Sequence, residues 1–214
     1  MAIRILIGTG NRHKFEEISS IMKGLKDRAS FIFANDIFGN VEIVEDSKTY
    51  GENAEIKIKG YLKLISETPE LLDKLFIDYI VSEDTGLEVA CLNNEPGIYT
   101  ARYAGENAAS SENIAKLLSA MDVNNKCKKD RKARFVCVAC LYDMRCHSSE
   151  FFEGILNGSI SNFPRGKNGF GYDPVFFIPE LDKTLAEISE AKKHKISHRA
   201  KAFRKIAAAI EHRR

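Results

Sequence analysis

The hexapeptide Ser82-Glu83-Asp84-Thr85-Gly86-Leu87 brings two carboxylates, a hydroxyl and a glycine together. Adjacent carboxylates can hold a hard cation such as Mg²⁺, or one can hold it while the other acts as base. Gly86 lets the chain turn away and leaves room for a ligand near the backbone. A solvated, idle acidic turn has the same composition. Glu45-Asp46-Ser47 forms a second acidic turn. Gly8-Thr9-Gly10-Asn11-Arg12-His13-Lys14 joins an apolar run to a helically spaced segment. Backbone N–H groups at such a strand-to-helix turn favour phosphate, and Lys14 adds a cation one turn in. Neither the Walker A spacing nor the Rossmann glycine fingerprint is present, and an ordinary loop fits a lone G-x-G turn equally well.

Other residues invite a chemical reading. Phe163 to Pro174 is rich in glycine and proline yet carries Phe170 and Tyr172, which could stack on a flat ring. Asp173 could accept from ring N–H groups. His198 and Arg199 fall in the first turn of a helix capped by Ser197, where cations oppose the helix dipole. An anion between them would explain that placement, and a solvated basic tail is the alternative. Asn53 and Lys57 share a helix face that spacing alone reads as solvated. Arg102 between Tyr99 and Tyr103 fits an anion site or a stacked structural arginine.

The elements that position these groups follow from periodicity. Ile3 to Gly8 reads as a buried strand, Lys14 to Leu25 as an amphipathic helix, and Phe31 to Asn35 as a strand. Val41 to Val44 leads into the second acidic turn. Thr49, with Glu52 three residues on, forms a capping box for a helix to about Ser66, ended by Glu67-Thr68-Pro69. Phe76 to Val81 reads as a buried strand ending in the acidic hexapeptide, and in open α/β sheets strand ends are where sites are built. Asn93-Asn94 is a turn. Ser110 or Ser111 caps a helix to about Met121. Ala133 to Met144 and Phe151 to Ile160 read as an antiparallel pair across a turn at 145–150. Val175 to Ile178 is a strand, and Thr184 to Glu187 a short helix.

A chain of 214 residues suits one domain, or two lobes sharing a sheet. Its composition, 44% hydrophobic and 29% charged, is ordinary for a soluble protein. A net charge of +2 leaves no nucleic-acid footprint. The basic stretch Lys126 to Arg134 lacks interleaved aromatics and reads as a solvated connection. No apolar run is long enough for a membrane span, and no secretory signal opens the chain. Five cysteines, several inside apolar runs, point to reduced thiols in the cytoplasm. In Cys137-Val138-Ala139-Cys140, period 2 puts the sulfurs on opposite faces, which reads as core packing.

Taken in order, the segments resemble the inosine triphosphate pyrophosphatases over nearly the whole chain. They are Thr9-Gly10-Asn11 with Lys14 and Glu16; Thr49-Tyr50 with Asn53-Ala54 and Lys57; and Glu83 to Leu87. Further on come Pro96 to Tyr99 with Ala101-Arg102-Tyr103; Pro164-Arg165-Gly166; Gly169 to Pro174; Lys183-Thr184 with Ala186-Glu187; and Ile196 to Arg199. The chain reads Glu-Asp-Thr-Gly where many bacterial members read Asp-Asp-Ser-Gly, and Ala200 stands where many carry glycine.

The resemblance implies an α/β fold: an elongated twisted mixed sheet flanked by helices, with two lobes and a central substrate cleft. It implies a single nucleotide pyrophosphatase domain over residues 1–214; the antiparallel segment at about 98–162 could, on its own pattern, form a second lobe. The implied activity is Mg²⁺-dependent hydrolysis of ITP, dITP and XTP to monophosphate and pyrophosphate, sanitising the nucleotide pool, usually by a homodimer. By matching position, Thr9, Gly10, Asn11, Arg12, His13 and Lys14 would bind the triphosphate, joined by Asn53 and Lys57. Asp84 would be the catalytic acid near the water and metal, Thr85 would touch substrate, and Glu45 would help hold Mg²⁺, with Asp46 a rival. Phe170, Gly171, Tyr172, Asp173, Lys193, His198 and Arg199 would bind the nucleotide and read the base. A donor at the 6-oxo group, from His198 or Arg199, would reject adenine. Two alternatives are a Maf-type pyrophosphatase acting on other nucleotides and a non-catalytic nucleotide- or RNA-binding protein. The two acidic turns argue against the second. Neither nucleic acid nor membrane is an expected partner.

Overall fold

The computed structural model describes residues 2–25, 28–68, 70 and 75–213. The chain is a mixed α/β protein built on an open sheet of eight strands flanked by helices. The strands are β1 (Ile3–Ile7), β2 (Ala29–Phe33), β3 (Tyr79–Val89), β4 (Pro96–Gly97), β5 (Lys132–Asp143), β6 (Ser148–Ile160), β7 (Phe176–Ile178) and β8 (Lys183–Thr184). Hydrogen-bonded order is β2-β1-β3-β5-β6-β7-β8, with β4 on β3. The helices are α1 (Arg12–Ile21), α2 (Ala34–Phe38), α3 (Tyr50–Glu67), α4 (Ser110–Val123), α5 (Glu190–Ile196) and α6 (His198–His212). Among the described residues, no helix is long and apolar enough to cross a membrane.

The chain divides into two compact units. The first comprises Met1–Asp84, Cys137–Glu153 and Arg199–Arg214, and the second Thr85–Val136 and Gly154–His198. In the first unit β1 pairs in parallel with β2 (Ile3 opposite Ala29) and with β3 (Ile5 opposite Tyr79). Alternation sends Ile5, Ile7 and Val81 to one face, against Ile18 of α1 and Phe203 and Ile206 of α6. Leu6 and Ile80 pack on the other face against Ala54, Ile58 and Tyr61 of α3. Cys137 joins the first cluster and Cys140 the second, as period 2 requires. Thr49 caps α3 as expected: its Oγ1 accepts from the Glu52 N–H at 3.2 Å and its hydroxyl donates to the Glu52 carboxylate at 2.8 Å. Pro69, the expected stop, lies outside the described residues.

In the second unit α4 packs Ile114, Leu117 and Met121 against Leu87 and Val89 of β3, Phe135 of β5 and Phe176 of β7. β6 pairs antiparallel with β7, and β7 with β8. Gly158 is required where β6 meets β7, since a Cβ there would lie 2.5 Å from the Phe177 carbonyl oxygen.

Several expectations need correction. β3 does not end at the acidic hexapeptide; it runs through it to Val89. Ser110 is the first residue of α4 and Ala109 its cap, with the Ala109 N–H held by the Glu112 carboxylate at 2.6 Å. Cys91 and Cys127 form a disulfide with a sequence separation of 36, so these two thiols are not reduced; Cys137, Cys140 and Cys146 are. Both bonded cysteines belong to the second unit's core, and tertiary proximity of that kind leaves no mark on periodicity.

Candidate active site

In the first unit β3 presents Glu83 and Asp84 beside residues brought by α1, α3 and α6. Asn11 caps α1, its Oδ1 accepting from the Lys14 N–H at 3.1 Å. Thr9 is buried and its Oγ1 accepts from the Asn11 N–H at 3.2 Å. Gly8 cannot carry a side chain, because a Cβ would stand 2.7 Å from the Tyr61 ring. From this turn the Lys14 ammonium reaches Glu83 Oε1 at 2.8 Å. The same oxygen accepts from Arg199 Nη2 at 3.3 Å, and Arg199 Nη1 donates to Glu17 Oε2 at 2.8 Å. The Cys137 thiol lies 3.6 Å from Glu83 Oε2.

These buried charges reset one another. Burial alone would raise the Glu83 pKa, but Arg199 and Lys14 hold it well below the usual carboxylate range. Burial alone would lower Lys14, and Glu83 more than restores it, so its pKa lies above the ordinary value. Arg199 rises for the same reason, through Glu83 and then Glu17. Asp84 differs. Burial pushes its pKa up, and the Lys57 ammonium and the Asn53 hydrogen bond only partly offset the rise. Asp84 is thus the one of the two carboxylates poised to take a proton.

Asn53 and Lys57 are buried, which overturns the solvated-face reading. Asn53 Nδ2 donates to Asp84 Oδ2 at 3.0 Å, and its Oδ1 accepts from the Ser47 N–H at 3.0 Å. The Lys57 ammonium pairs with Glu45. Glu45 is half-buried and Asp46 exposed, so Glu45 is the acid drawn toward Lys57. Among the described residues, no three His, Cys, Asp or Glu side chains converge in a way that could hold a metal ion.

His198 and Arg199 are only 3% and 2% exposed, so they form no solvated tail. The anions beside Arg199 are the protein's own Glu17 and Glu83. Arg12 stands apart, exposed, over the Phe33 ring at 4.5 Å and 3.4 Å from Asp36. Gly10 and His13 are also exposed on this turn. Sequence reasoning gave no role to Glu17, which is buried; its neighbour Glu16, quoted in the resemblance, is exposed. The signal was available: Lys14 and Glu17 are three apart on α1 and share a face.

The second unit brings together Phe170, Asp173 and Lys193. Asp173 is buried, its Oδ2 accepting from Lys193 Nζ at 2.6 Å and from the Phe170 N–H at 2.9 Å. Lys193 lies 4.6 Å from the centre of the half-buried Phe170 ring. Glycine is required at 169, where φ is +76° and a Cβ would strike the Asp173 carboxylate at 2.0 Å. Gly171 also has positive φ, at 60°. Tyr172 is a core residue whose hydroxyl donates to the Thr100 carbonyl at 3.1 Å. The buried His198 ring stacks on Phe135 at 4.6 Å. Thr85 opens this unit, half-buried on β3 next to Asp84.

The Ham1 family model matches residues 5–209. A dITP/XTP pyrophosphatase of Staphylococcus aureus is 36% identical over 209 residues, covering 97% of this chain and 96% of its own length. One from Staphylococcus epidermidis is 36% identical over 207 residues, with the same coverage. Among solved structures, the Staphylococcus aureus Ham1 protein superposes with a TM-score of 0.80 at 34% identity, covering 99% of this chain and all of that one. A HAM1 protein from Coxiella burnetii gives 0.82 at 33% identity, with 98% and 99% covered. The chain belongs to the Ham1 family.

Proposed function

We propose that the protein hydrolyses purine nucleoside triphosphates bearing a 6-oxo base, such as dITP, ITP and XTP, to the monophosphate and pyrophosphate. The observation that carries this reading is the buried set on β3 and its neighbours: a carboxylate raised toward protonation beside two lysines and a helix N-terminus. Relatives named dITP/XTP pyrophosphatase at 36% identity over the full chain support the substrate class. The reading makes the whole chain one nucleotide pyrophosphatase domain of house-cleaning type, acting in the cytoplasm as a homodimer.

The polyphosphate is assigned to the first unit. Lys14, Lys57 and the Thr9-to-Lys14 turn supply cations and N–H groups for several negative charges. Asp84 orients the attacking water and takes its proton, a role that typically contributes about 10²- to 10⁴-fold. Asn53 holds Asp84 Oδ2 and so fixes which oxygen faces the water.

The donor set fits Mg²⁺. That ion is usually held by one or two carboxylates, with phosphate oxygens and water completing the shell, so a three-ligand protein cage is not needed. Asp84 and Glu45 both lie under the influence of the Lys57 ammonium, which offsets only part of the cost of burying the Asp84 charge. These two carboxylates would hold the ion. When bound, it would draw charge from the phosphorus under attack.

The base is assigned to the second unit. Phe170, with Lys193 and Asp173 behind it, supplies a stacking ring held from below. His198 is the donor assigned to the 6-oxo oxygen; a donor there leaves the amino group of adenine unpaired, which discriminates strongly. The test is a substrate panel of dITP, XTP, ATP and GTP, with His198→Ala compared to wild type. The reading expects the preference for 6-oxo purines over ATP to collapse in the variant, and an unchanged preference removes His198 from base recognition.

A further inference from the structure

We infer that Glu17, on the buried flank of α1, is a positioning residue that reaches the polyphosphate site through Arg199. The inference rests on the proposed contact between Lys14 and the polyphosphate. Glu17 is 5% exposed and one helical turn beyond Lys14. Its Oε2 takes Arg199 Nη1 at 2.8 Å, while Arg199 Nη2 lies 3.3 Å from Glu83 Oε1. That same Glu83 oxygen holds Lys14 at 2.8 Å. One guanidinium therefore spans two carboxylates, and one carboxylate oxygen is shared between two cations.

A guanidinium fork matches a carboxylate with two parallel hydrogen bonds, and that is its strongest arrangement. Glu17 prevents it here by occupying one prong. Arg199 then touches Glu83 through Nη2, and Glu83 Oε1 remains open to Lys14. With Glu17 neutral, Arg199 has Glu83 as its sole ionised partner in this pair of contacts. It turns both prongs onto that carboxylate and displaces the Lys14 ammonium. The lysine keeps its charge but loses its fixed position, so substrate binding suffers more than the bond-breaking step. Charge counting agrees: Lys14 and Arg199 balance Glu17 and Glu83, and a neutral residue 17 leaves a buried positive excess.

The experiment measures kcat, KM and Tm for wild type, Glu17→Gln, Glu17→Asp, Lys14→Gln and the Glu17→Gln/Lys14→Gln double variant, with dITP. The expected result is a KM for Glu17→Gln raised about tenfold with kcat changed less than threefold, and an intermediate KM for Glu17→Asp. In the Lys14→Gln background, Glu17→Gln should add less than threefold, because the lysine it positions is gone. Should Glu17→Gln not fold, Glu17→Asp paired with Lys14→Gln decides by the same comparison. A fall in Tm with wild-type KM, or losses that multiply in the double variant, overturns the inference and leaves Glu17 as scaffold. Failure of wild type to release pyrophosphate, or a harmless Lys14→Gln, points instead to an error in the proposed function.

Discussion

Replacing Asn53 by alanine removes the hydrogen bond from Nδ2 to Asp84 Oδ2, 3.0 Å long and buried on the α3 face. A hydrogen bond to a charged acceptor is worth about 1.5–3 kcal/mol. Asp84 gains that amount only as the carboxylate, so its loss favours the protonated acid. The sign follows from the cause: the Asn53 bond lowers a pKa that burial has raised, and without it the pKa climbs further. An energy of that size corresponds to a factor of roughly 10–100 between the two protonation states. If Asp84 must be ionised to take a proton from water, kcat/KM on the acid limb falls by that factor at fixed pH. Well above the limb the loss is smaller. The assay is pyrophosphate release from dITP across the acid range for wild type and Asn53→Ala. Asn53 also accepts from the Ser47 N–H at 3.0 Å, so some loss of Tm accompanies the change. A limb that stays in place, or moves to lower pH, refutes the assignment of Asp84 as base.

Asp143 accepts side-chain hydrogen bonds from Arg145 at 2.8 and 3.1 Å, which pull its pKa from 3.8 down to about 2. Arg145 is largely exposed, so solvent screening leaves about 1 kcal/mol of stability from that shift. It is present above pH 4 and lost as pH falls toward 2, so urea unfolding at pH 7 should show Asp143→Asn weaker by about 1 kcal/mol, and equal stability would contradict the network. Gly166 has φ of +84°, and a Cβ there would lie 2.2 Å from the Ala186 carbonyl group. Strain plus overlap should cost Gly166→Ala about 2–5 kcal/mol, read as a drop in Tm, and an unchanged Tm would mean that the loop yields freely. The raised Lys14 pKa contributes stability below its ordinary value that disappears as pH rises through the raised one. Glu83→Gln should therefore bring the alkaline fall in Tm to lower pH, and an unmoved fall would deny the pairing.

Local features were legible in the sequence and distant pairings were not. The Thr49–Glu52 capping box depends on four neighbouring residues and could be read directly. The opposite faces of Cys137 and Cys140 follow from strand period alone. The burial of Asn53 and Lys57 depends on Asp84 and Glu45, carried by other segments, so helix spacing could only report a polar face. The same holds for Arg199, whose carboxylates lie 116 and 182 residues away. β3 passes straight through a stretch whose composition resembles a turn, because the sheet outweighs the weak strand preference of Glu, Asp and Gly. The resemblance carried the site residues further than spacing did, yet it gave no role to the buried Glu17.

The most direct measurement of the central claim is the phosphorus-31 spectrum of the products formed from dITP with Mg²⁺ by wild type and by Asp84→Asn. Cleavage between the α and β phosphorus atoms with Asp84 as base predicts dIMP and pyrophosphate from wild type and a near-silent variant. Orthophosphate and dIDP as the products, or full turnover by Asp84→Asn, would contradict it.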